Sequence, residues 1–86
     1  MTLIDFIVSI AEYFFMDKLF LKKVGNRIKF LRIEKGLSQE ELACDANVSR
    51  STIGMIETAR TDVTLSKIKR IAKALEVEPY ELLKFD

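Results

Sequence analysis

The chain has 86 residues, of which 14 are basic and 13 acidic, for a formal net charge of +1. That length holds one domain with one modest core, and 49% hydrophobic with 31% charged residues is the make-up of a globular chain rather than a disordered or fibrous one. No histidine and a single cysteine, Cys44, argue against a transition-metal site and exclude an intramolecular disulfide. No nucleophile stands beside a base in a supporting pattern, so neither a cofactor nor enzymatic activity is expected. A lone thiol points to a reducing compartment, hence the cytoplasm.

Residues 1–20 form the first predicted element. The run LIDFIVSIAEYFFM is strongly apolar. Asp5, Ser9 and Glu12 recur at spacings of four and three, a narrow polar stripe on a helix. Thr2 with Asp5 has the form of a capping box. The run is shorter than the roughly 20 apolar residues of a membrane span. It lacks the basic n-region and small-residue cleavage site of a signal peptide. An interfacial helix would carry Lys and Arg on its polar face, and this one carries acids. Two protein-contact readings stay open. The helix either pairs with a second subunit, through Ile7, Ile10, Phe14 and Phe15, or completes the monomer core. Met16 offers an alternative start that would leave 1–15 outside the native chain.

Residues 21–86 form the second unit. VGNRIKFLRIEK, 24–35, predicts a helix with Val24, Ile28 and Leu31 inward, ended by Gly36 with Leu37 as the contact after it. Ser38 and Glu41 form a capping box, and Leu42, Ala43 and Ala46 share the face of the helix it opens. Asn47 ends that helix, since Asn tolerates the left-handed backbone of a C-cap. Val48 is a plug between helices. Ser49 caps the next helix, with Ile53 and Ile56 inward and Arg50, Ser51, Thr52 and Met55 outward. Gly54 inside it costs about 1 kcal/mol against Ala, which predicts a close approach or a lack of room for a side chain. After the polar loop TARTDVT, Thr64 caps a helix with Leu65, Ile68, Ile71, Ala72 and Leu75 in one stripe. Pro79 opens a short last helix carrying Tyr80, Leu82 and Leu83.

Charge is segregated along the chain. Lys18, Lys22, Lys23, Arg27, Lys29, Arg32 and Lys35 meet one acid, Glu34. Arg60, Lys67, Lys69, Arg70 and Lys73 form a second basic group. The acids gather in 38–48 and after Glu76. Such segregation gives a nearly neutral chain a basic face.

Two short capped helices around a tight turn, the second presenting small polar side chains, have the layout of a helix-turn-helix. LRIEKGLSQEELA, then VSRSTIGMIE, then LSKIKRIAKALEVEPYELL together resemble the Xre family of helix-turn-helix domains, the phage repressor and Cro class, over residues 24–83. The resemblance implies an all-α fold, a five-helix repressor-like domain, here with an additional apolar N-terminal helix.

It further implies that Gln39 bonds a DNA phosphate and braces the recognition helix. Ser49, Arg50, Ser51, Thr52 and Met55 would form the recognition surface. Arg50 is the candidate for a bidentate guanine contact, and Arg60 would face the backbone. Arg27 and Glu57 match a family pair that forms a buried ion pair. The family often has Gly where this chain has Asn47 and Ala59, and Pro where it has Val63. Ala adopts a left-handed backbone at a cost, so the loop at 58–63 is expected to take a different path.

The function these features imply is a sequence-specific, double-stranded DNA-binding transcriptional regulator, a repressor in character, acting as a homodimer on a near-palindromic operator. The class includes phage repressors, controllers of restriction-modification operons and autoregulating antitoxins. A competing reading keeps the fold but makes the chain a protein-interaction module, antitoxin-like, whose N-terminal helix binds a partner protein. Membrane tethering through that helix is the weakest reading.

Overall fold

The computed structural model describes residues 2–85. Its elements there are α1 (Leu3–Glu34), α2 (Gln39–Ala46), α3 (Arg50–Glu57), α4 (Leu65–Ala74) and a 3-10 turn over Pro79–Leu83. The fold is all-α as expected, with a different helix count. The apolar N-terminal helix and the first domain helix are one continuous helix of 32 residues, and the expected division at 20/21 falls inside it. No proline or cap-forming residue stands between Phe20 and Val24 to stop the ladder.

Each α-helix begins as its sequence dictates. Thr2, Ser38, Ser49 and Thr64 sit in extended backbone, and each side chain accepts the N–H three residues on, from Asp5, Glu41, Thr52 and Lys67. Asp5 and Glu41 return the bond to the cap's own N–H, closing capping boxes. The other ends share one device. Gly36, Asn47, Ala59 and Glu76 all have positive φ, at 79°, 55°, 56° and 60°. The next N–H in each case reaches back five residues, as in Leu37 N–H to the Arg32 carbonyl at 3.0 Å and Arg60 N–H to the Met55 carbonyl at 2.8 Å. The expected detour at 58–63 therefore does not begin at Ala59, which takes the left-handed backbone a glycine would take. Its side chain is buried, so tertiary packing holds a conformation that costs roughly 1–2 kcal/mol outside glycine.

The buried hydrophobic core spans Val24 to Leu82, with Ile28, Leu42, Ile53, Ile71 and Leu82 its largest fully enclosed side chains. Leu31 and Val48 pack on it from its edge. By contrast, residues 2–20 are exposed throughout, which overturns the reading in which they complete the monomer core. At 1.5 Å per residue α1 is about 48 Å long, and it sets the 50 Å long axis of a molecule 26 × 20 Å in section. Among the described residues no helix is long and apolar enough to cross a membrane.

Candidate nucleic-acid interface

The site is α2, the turn at Asn47–Val48, and α3. Ile53 and Ile56 anchor α3 in the core, which by helical spacing turns Arg50, Ser51, Gly54 and Met55 to the other side. Arg50, Ser51 and Met55 are exposed and Thr52 is half-buried. The Ser49 hydroxyl accepts the Thr52 N–H at 3.1 Å and lies 2.7 Å from Thr52 Oγ1 and 3.1 Å from Ser51 Oγ. Three hydroxyls thus share one network at the start of α3. Arg60 is exposed in the loop that leaves the helix.

Gly54 does not answer to a lack of room. A Cβ built there would meet nothing within 4 Å. The glycine leaves a shallow place on the outward face of α3, where an external surface can come close to the backbone. The glycine that space does require is Gly25, in the middle of α1. A Cβ there would stand 2.3 Å from the Ile56 carbonyl oxygen and 3.1 Å from that of Glu57. This crossing was missed by sequence reasoning. The available signal was a glycine inside a helical pattern, a residue that costs about 1 kcal/mol unless packing needs it.

The base of α3 is fixed by a buried polar node. The Glu57 side chain is 2% exposed. Arg32 donates to it twice, Nε to Oε2 at 2.7 Å and Nη2 to Oε1 at 3.0 Å. Gln39 Nε2 donates to the same Oε1 at 3.0 Å, and Arg32 Nη1 donates to the Leu37 carbonyl at 2.8 Å. The partner of Glu57 is therefore Arg32 and not Arg27. Arg27 donates instead to the Glu81 carbonyl at 2.9 Å and pairs with its carboxylate at 3.3 Å. The reason is phase. Five residues turn a helix by about 140°, so the two arginines face different neighbours. Arg32 shares a stripe with Gly25 and Ile28, which faces α3.

Lys18, Gly25 and Arg32 follow each other at seven-residue spacing, and all three meet the C-terminal end of α3 or the residues just beyond it. Lys18 Nζ donates to the Ala59 carbonyl, Gly25 admits the backbone of Ile56 and Glu57, and Arg32 holds the Glu57 carboxylate. The recognition surface is thus mounted on α1 as on a rod. At the rim, hydrogen bonds from Ser38 hold the Glu41 carboxyl below its ordinary value, and Lys35 does the same to Glu76.

The sequence model of the HTH_3 family, described as helix-turn-helix, matches residues 28–82. The control protein C.BamHI of Bacillus amyloliquefaciens is 39% identical over 62 residues, 71% of this chain and 76% of that protein. The immunity repressor of Bacillus phage phi105 is 44% identical over 55 residues, 64% of this chain and 38% of the repressor. Among solved structures, the restriction-modification controller protein C.AhdI from Aeromonas hydrophila superposes with a TM-score of 0.71 at 45% identity, covering 72% of this chain and 94% of that one. The family match begins beyond the exposed half of α1.

Proposed function

This chain belongs to the HTH_3 helix-turn-helix family, and from that premise we propose that it is a sequence-specific, double-stranded DNA-binding transcriptional regulator that acts as a homodimer. The observation that carries this reading is the mounting of α3. A buried carboxylate with three donated hydrogen bonds and a glycine crossing fix a short helix whose outward side is Arg50, Ser51 and Met55. Such fixity is what base reading in a major groove requires.

Arg50 is the guanine-reading side chain, with a bidentate contact to O6 and N7 contributing roughly 1–3 kcal/mol of discrimination. Ser49, Ser51 and Thr52 bond bases or phosphates, and Met55 touches a thymine methyl. Gln39 spends one amide hydrogen on Glu57 and keeps the other for a phosphate. Arg60 faces the DNA backbone. The relatives that support this reading are a control protein, an immunity repressor and a restriction-modification controller. As a regulator, the chain works in the cytoplasm by occupying an operator, as a repressor. The second subunit is met through Ile7, Ile10, Phe14 and Phe15, all exposed on α1.

The exposed apolar half of α1 also favours a second reading, an antitoxin-like interaction module that binds a partner protein there. Titration of labelled duplex DNA by fluorescence anisotropy over a salt series separates the two. The regulator predicts a log–log salt slope that falls by about 1 for each phosphate-contacting Lys or Arg replaced. It also predicts that Arg50→Ala weakens binding and relaxes one operator position. A flat salt dependence favours the interaction module, and an unchanged Arg50→Ala binding curve removes Arg50 from base reading.

A further inference from the structure

Along α1, apolar residues recur at alternating spacings of four and three. In the second half of this series, Val24, Ile28 and Leu31 pack into or against the domain core and Leu21 is half-buried. The first half, Leu3, Ile7, Ile10 and Phe14, keeps the same phase and faces water, with Leu3 73% and Phe14 68% exposed. Only Asp17 interrupts the seam between the two halves. Spacing of this kind is the a/d pattern by which one helix packs along another. The domain covers one half of the seam and leaves the other exposed.

We propose that the free half of the seam is occupied by the same half of a second copy of this chain, running antiparallel. The inference rests on the dimeric reading above and names the surface and its register. The seam is complementary to itself in the antiparallel order. Leu3 meets the second copy's Phe14, and Ile7 meets the second copy's Ile10, each layer joining an a to a d position and a larger to an equal or smaller side chain. The two-fold relation repeats the same layers in reverse, as an isologous interface requires.

Charge agrees with this order. Asp17 falls beyond the last layer, where in a parallel pair it would face its own copy inside the apolar seam. The start of the second copy's α1, the positive end of its helix dipole, arrives beside an open groove of about 460 Å³ whose lining includes Phe14, Asp17 and Asp62. Lys18, which also borders that groove, is held by the Ala59 carbonyl. Asp5 and Glu12 lie on the side of α1 away from the seam, where they stay in water and oppose an anionic lipid surface. The antiparallel order also sends the two folded domains to opposite ends of the paired helices. The contact covers on the order of 500 Å² per copy, a small interface of the concentration-dependent kind.

The test is sedimentation equilibrium of the full chain, without DNA, over a concentration series. The mass is expected to double as concentration rises. Ile10→Glu is expected to stay at the single-chain mass, and Ser9→Glu, on the opposite side of α1, to dimerise as the parent does. Because residues 3–20 lie outside the core, all three are expected to keep the same thermal melt at dilutions where none is paired, which separates lost pairing from lost folding. For register, chains carrying Cys44→Ser with either Ile7→Cys or Ile10→Cys are mixed and oxidised. Antiparallel pairing predicts the mixed 7–10 disulfide, whereas predominant 7–7 and 10–10 products would overturn the order. A single-chain mass at every concentration, a dimer that survives Ile10→Glu, or a wild-type monomer that co-sediments with phosphatidylcholine–phosphatidylglycerol vesicles would each overturn the proposal. If the dimer forms but binds no duplex, the regulator reading fails and the pairing stands. If monomers bind duplex, the reverse holds.

Discussion

Gly25 and Gly54 are both helical glycines, and their surroundings predict opposite responses to one added methyl group. At Gly25 the methyl would enter the carbonyl of Ile56 at 2.3 Å, so α1 and α3 must separate. Overpacking of this kind costs about 1–3 kcal/mol, and Gly25→Ala is expected to lower Tm by roughly 10 °C on the scale of a domain this size. At Gly54 the methyl meets open space, and Gly54→Ala is expected to stabilise by up to about 1 kcal/mol through helix propensity. Thermal melts of the two variants check this, and a stable Gly25→Ala would contradict the close crossing. The two arginine pairs give a second contrast. Glu57→Ala leaves the Arg32 side chain, only 11% exposed, without its carboxylate, a loss of about 3–5 kcal/mol. Arg27→Ala removes a partly exposed pair and is expected to cost about 1 kcal/mol or less. Urea unfolding of both would reveal equal losses if the pairing were otherwise.

At the scale of the element, the Ser38–Glu41 box makes a prediction with a sign. Bonds from the Ser38 N–H and hydroxyl stabilise the Glu41 carboxylate, so its folded value lies below the ordinary 4.5. The contribution is complete above that ordinary value and is lost as pH falls through the lowered one. The Ser38 amide resonance should therefore titrate with a midpoint below 4.5, and a midpoint at or above it would mean that the box is open. This box was legible in the sequence, as were the caps at Thr2, Ser49 and Thr64, because a cap is a local contest for one N–H. Asn47 was legible too, since its side chain tolerates the left-handed backbone. Ala59 was not, because the residue type argues against a conformation that burial and the Lys18 contact impose. The choice between Arg27 and Arg32 was open to phase reasoning, but only once Gly25 and Ile28 mark the side of α1 that faces α3. Expecting a break near residue 20 split a helix that no residue there interrupts.

In the whole molecule, α1 joins two tasks that lie at opposite ends of one rod. Its second half carries α3 through Lys18, Gly25 and Arg32, and its first half stands clear of the domain. Whatever holds the free half therefore also orients the outward side of α3, because a continuous helix passes rotation and displacement along its length. The outward residues Arg50, Ser51 and Met55 were legible as the complement of the inward Ile53 and Ile56. The exposure of the apolar run before Lys18 was not, because an apolar helix looks the same whether a core or a second subunit awaits it.

Reading of operator sequence is the claim on which this rests, and selection from a random-sequence pool of duplex DNA tests it most directly. Full-length protein at near-physiological salt is expected to enrich an inverted repeat, with one half-site under each of the two recognition helices. Failure of a folded protein to enrich any sequence would contradict it.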